Sequence, residues 1–71
     1  MNLKEIIEEV QAAIAIQDSG IGIEFISNDD DGLVMKVNIY HIDKFLGLTN
    51  IAKIINKVLK RYHLKLKSLT L

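Results

Sequence analysis

The sequence predicts an α+β fold of two layers, with elements in the order helix, strand, strand, helix, strand. Three observations predict it. Apolar residues recur at helical spacing in an early and a late stretch, they alternate with polar residues in three others, and an Asp-rich turn closing on glycine joins the two central alternating runs.

The first helix starts at Asn2, whose side chain can accept an orphan amide while Glu5 reaches back to the cap, a capping box. Leu3, Ile6, Ile7, Val10, Ile14 and Gln17 fall within about 100° of one another at 3.6 residues per turn, and Glu5, Glu8 and Glu9 lie opposite. Asp18-Ser19-Gly20 ends the helix, with Gly20 expected in the left-handed conformation of a C-terminal cap.

Two strands follow. Ile21, Ile23 and Phe25 alternate with Gly22, Glu24 and Ile26, and Leu33, Met35, Val37 and Ile39 alternate with Val34, Lys36, Asn38 and Tyr40. Ser27-Asn28-Asp29-Asp30-Asp31-Gly32 between them is short and rich in turn formers, so the pair is a β-hairpin. Asp43 can cap a brief helical turn that Gly47 stops or bends. The main second helix is predicted from Thr49 to Tyr62, with Ile51, Ile54, Ile55, Val58, Leu59 and Tyr62 inward. His63 to Leu71 reads as a strand whose alternation breaks after Lys67, the mark of a bulge or of burial on both sides.

The second strand, second helix and third strand make a crossover, expected to be right-handed and most compact with the first strand between the other two. The predicted sheet is therefore antiparallel, three-stranded and of order 2-1-3. Both helices share one face and the other face stays open.

The 71 residues form one domain, close to the size at which a lone core barely offsets the entropy of ordering the chain. No cysteine is present, which excludes disulfide staples and thiolate-bound zinc, so a tight core or a second subunit must serve instead. The aliphatic content suits such a core. No apolar run reaches the roughly 18 residues of a membrane span, and MNLKEIIEEV is acidic where a secretory signal is basic, so a cytoplasmic location is expected. Residues 1–35 hold eight acids against Lys4, and residues 36–71 hold eight bases against Asp43. The formal charge of zero thus hides halves of opposite sign, a pattern that points to an electrostatic partner.

Two surfaces compete for function. Lys53, Lys57, Lys60 and Arg61 on the second helix, with Lys65 and Lys67 beyond it, could follow a nucleic-acid backbone. The helix macrodipole and ordinary solvation also favour bases there. The order of elements around Gly47-Leu48-Thr49-Asn50 resembles a type II KH fold, a nucleic-acid-binding module whose Gly-x-x-Gly loop clamps a backbone. Gly47 matches that motif. Asn50 stands where its second glycine belongs, the helix before Gly47 is short, and the loop lacks a lysine.

The open sheet face is the other surface. It is expected to present Ile26, Val34 and Tyr40, with Leu69 and Leu71 in reach, among Lys36, Lys65 and Lys67, an apolar centre with a polar rim. The leading expectation is a non-enzymatic protein-interaction module that dimerises with its own copy through that face, and nucleic-acid binding is the alternative.

Other chemistry finds little footing. Asp29, Asp31 and Gly32 imitate part of a calcium loop, but Ser27 and Asn38 occupy its first and twelfth positions, so no metal is assigned. His41-x-Asp43 could orient a base, yet no nucleophile accompanies it, and Gly20-Ile-Gly22 precedes a strand and not a helix. No catalytic residue, cofactor or small-molecule substrate is nominated.

Overall fold

The computed structural model describes residues 2–41 and 47–71, arranged as α1 (Leu3–Gln17), β1 (Ile21–Asp29), β2 (Gly32–Ile39), α2 (Leu48–Lys60) and β3 (Leu66–Thr70). The order of elements is the predicted one. The predicted turn at Asp43 lies outside the described residues.

The sheet differs from the expectation. Its order is β1-β2-β3, with β1 antiparallel to β2 and β3 parallel to β2, so it is mixed and not wholly antiparallel. The physical reason lies in β2. Leu33, Met35 and Val37 are all buried to within 2% of full burial, whereas Ile23 and Phe25 of β1 are only half-buried. The central position hides an inner face best, and it goes to β2. The helix α2 then supplies the crossover that two adjacent parallel strands require.

Burial of alternate residues sets both helices on one side. Ile21, Ile23 and Phe25 stand opposite Ile39, Val37 and Met35, and Leu66 and Leu69 stand opposite Leu33 and Met35 on the third strand. All of these but Ile39, which is exposed at the end of β2 and not turned into the core as its alternation predicts, pack with Ile6, Val10 and Ile14 of α1 and Ile51, Ile55, Val58 and Leu59 of α2 in one aliphatic cluster. Bulges adjust the parity twice. Between Phe25 and Ser27 the β1 register shifts at Ile26, and between Leu66 and Ser68 the β3 register shifts at Lys67. The second shift explains the broken alternation after Lys67, because it turns Leu69 back to the core and away from the open face.

The C-terminal ends of the two helices depart from the expected chemistry, while the start of α1 keeps to it. Asn2 caps α1 as predicted, its Oδ1 accepting the Glu5 N–H at 2.9 Å. At the other end Asp18 is extended, its N–H donating to the Ile14 carbonyl while its buried Oδ1 accepts the Gly20 N–H at 2.9 Å. Gly20 does not have positive φ, so it is not a left-handed cap. Glycine is needed there because a Cβ would collide with the His41 carbonyl. The left-handed residue appears after α2 instead, where His63 has φ 59° and the Leu64 N–H reaches back to the Leu59 carbonyl at 3.0 Å. The chain from Arg61 to His63 is therefore a turn, and the third strand starts later than predicted, at Leu66.

Candidate interaction surfaces

The strand register lays out the open face row by row. Val34 lies between Ser27 and Ser68, Lys36 between Glu24 and Thr70, and Asn38 beside Gly22. Past the end of β2 the Tyr40 ring covers Gly22, where a Cβ would come within 2.7 Å of the ring. Tyr40 is 73% exposed and Ile26, at its bulge, 49%. Lys36 is opposite a carboxylate, and the Asn38 amide reaches the Glu24 Oε1 at 3.4 Å. The apolar part of this face is Val34, Ile26 and Tyr40. Leu69 does not belong to it, and Leu71 lies exposed beyond the end of β3.

The six bases considered for nucleic acid do not form one free stripe. Lys67 Nζ lies 2.9 Å from Asp29 Oδ2 and 3.8 Å from Asp31 Oδ2, because β3 begins alongside the hairpin tip. That hydrogen bond holds the Asp29 carboxyl below its usual range. It also gives the acidic tip an occupant, and among the described residues no three acids or imidazoles are grouped to hold a metal. Arg61 Nη2 lies 2.7 Å from Glu9 Oε1, and the Tyr62 hydroxyl donates to the other oxygen of the same carboxylate. Glu9 raises Tyr62 above the ordinary phenol value, since a carboxylate accepting its proton disfavours the phenolate. Glu9 thus joins the helices at one end and does not face solvent with Glu5 and Glu8.

Lys53, Lys57 and Lys60 remain. All three are exposed, they fall within about 60° of one another on α2, and none makes an ion pair among the described residues. Lys65 is exposed too, and its carbonyl accepts the Leu33 N–H at 2.9 Å. The segment Gly47 to Asn50 is the start of α2, with Gly47 at φ 86° accepting the Ile51 N–H. Asn50 is already a helical residue.

The helix layer holds a feature that the apolar stripe of α1 did not reveal. Ile16 is 82% exposed, the most exposed large apolar side chain among the described residues, and Ala12 and Ala15 beside it are exposed as well. With Ala13, Gln17, Ile54, Lys57, Val58 and Arg61 it lines a groove between the helices. The signal was in the sequence, since Ile16 falls about 130° from the centre of the α1 stripe. Gln11 was also missed. Its amide donates to the Ile21 carbonyl at 3.1 Å and accepts the Ile23 N–H at 2.6 Å, so it occupies part of the free edge of β1.

Ser27 and Ser68 flank Val34 on the sheet, His63 is in the turn after α2, and Asp43 lies outside the described residues. No helix among the described residues is long and apolar enough to cross a membrane. Compared with known protein families, curated proteins and solved structures, the chain matches none.

Proposed function

We propose that this chain is a non-enzymatic interaction module that presents its open sheet face to a protein partner. The observation that carries the reading is the placement of Tyr40, Val34 and Ile26 on the side of the sheet that no described helix covers. A tyrosine whose ring edge rests against a glycine offers a large contact at little entropic cost, and tyrosine is enriched in interfaces. The surrounding Glu24, Lys36, Asn38, Ser68 and Thr70 make a polar rim. That mixture suits a partner that binds and leaves, because obligate homodimer interfaces are more apolar.

Capture from an extract of the source organism, with nuclease and with quantitative mass spectrometry, tests the reading. Wild-type chain should retain a defined protein in the presence of nuclease, and Val34→Lys and Tyr40→Ala should each lose it while keeping the wild-type circular dichroism. Retention that survives both substitutions would refute a sheet-face contact.

Nucleic-acid binding is the second reading, and Lys53, Lys57 and Lys60 favour it by standing together without carboxylate partners among the described residues. Its sign would be affinity for an oligonucleotide that falls steeply with salt.

A further inference from the structure

The outer side of the helix layer carries unspent charge and an exposed isoleucine. Arg61 beside Glu9, and the groove shared by Ile16 and Ile54, show that α2 runs antiparallel to α1. At one end of the layer α1 exposes Glu5 and Glu8, and neither makes an ion pair among the described residues. Toward the other end α1 exposes Ala12, Ala15 and Ile16, with no charge. Beside this, α2 presents Lys53, Lys57 and Lys60 along its length. Lys4 apart, one helix is acidic and then apolar. The other is basic throughout.

We propose that two copies of this chain pair through their helix layers, with the two-fold axis running along the groove between α1 and α2. Rotation about that axis lays α1 of each copy across α2 of the other. Glu8 then faces the second copy's Lys60, and Ile16 descends toward the second copy's Ile54. The small side chains of Ala12 and Ala15 leave room for the Lys57 stem, which can cover apolar surface while its ammonium stays wet. Every contact occurs twice, as an isologous interface requires.

Charge selects this axis over the alternative. An axis crossing the helices would set α2 on α2 and bring Lys53, Lys57 and Lys60 against their own copies, and opposed like charges penalise that arrangement. The predicted sheet-to-sheet pairing has weaker support, since Lys36 and Glu24 already face each other within one chain and Leu69 is turned inward. A small aliphatic core also gains from a second subunit. Pairing through the helices leaves both sheet faces outward, so this dimer is independent of the sheet-face contact proposed above.

Sedimentation equilibrium of the full chain provides the test. Wild type should show twice the monomer mass, and Ile16→Glu should weaken association by about tenfold or more while leaving the urea midpoint of the dilute monomer unchanged. Glu8→Lys and Lys60→Glu should each weaken the dimer, and the double variant should recover wild-type association. Val34→Lys should leave it intact. A wild-type chain that stays monomeric at millimolar concentration overturns the proposal. So does a dimer that survives Ile16→Glu, or a double charge swap that restores nothing. A monomer that instead binds a short DNA duplex in a salt-sensitive way through Lys57 would assign the basic side of α2 to nucleic acid.

Discussion

Lys67 shows how much one side chain can connect. It is the extra residue of the β3 bulge, and that position lets its ammonium reach Asp29 and Asp31 at the hairpin tip. The tip can be this acidic because a base from a remote part of the sequence sits beside it. Since the folded Asp29 titrates below its unfolded value, its contribution to stability is present above about pH 3.9 and is lost as pH falls through the folded value. Lys67→Met should move the Asp29 carboxyl back up to the ordinary range, read by carboxyl NMR titration, and should flatten the acid limb of the stability profile. An Asp29 titration unchanged by that substitution would mean that Lys67 does not hold it. Gly32 makes a second point at this scale. Its φ of 130° and the approach of the Lys65 carbonyl, 2.6 Å from where a Cβ would stand, leave space for glycine alone between the hairpin and the start of β3.

At the scale of elements, the free edge of β1 is managed by a helix. Edge strands expose unpaired backbone groups that invite aggregation, and α1 answers at Ile21 and Ile23 with the Gln11 amide. Gln11→Ala would leave the Ile23 N–H without its acceptor, at a cost of about 1–2 kcal/mol. The expected outcome is a lower urea midpoint with an unchanged slope and faster exchange of the Ile23 amide. A variant as stable as wild type would show that water replaces the side chain at no loss. The corresponding device on the other edge is Asn56 of α2, whose Oδ1 accepts the Leu66 N–H at 3.1 Å. Only the packing of helix on sheet shows that each serves a strand edge.

At the scale of the whole molecule, the sheet order decides where stability is greatest. With β2 in the centre, its backbone from Leu33 to Lys36 is paired on both sides, while β1 has a neighbour on one side only. Amides of Val34, Met35 and Lys36 should therefore exchange more slowly than those of Glu24 and Phe25, with β2 opening close to the global unfolding limit. Slowest exchange in β1 would instead indicate the 2-1-3 order. The element order, the hairpin, the Asn2 cap and the inward residues Ile21, Ile23, Phe25, Leu33, Met35, Val37 and Leu66 were legible in the sequence, because each depends on local spacing that a period of 2 or 3.6 residues records, whereas Ile39 at the strand end is exposed. The candidate surfaces were legible in part. Ile26, Val34 and Tyr40 fell on the open side as the alternation requires, whereas Leu69 did not, because a bulge changes parity without altering composition.

What the sequence determined by itself was the identity of the elements and which side of each is apolar, since those follow from neighbours a few positions apart. Which strand lies in the middle, which bases meet acids, and that Leu69 turns inward were decided only in three dimensions. The physical reason is that strand pairing and ion pairing join residues far apart in the chain. Asp29 meets Lys67, Glu9 meets Arg61, and Leu33 meets Leu66 through the competition of several packings for one small core.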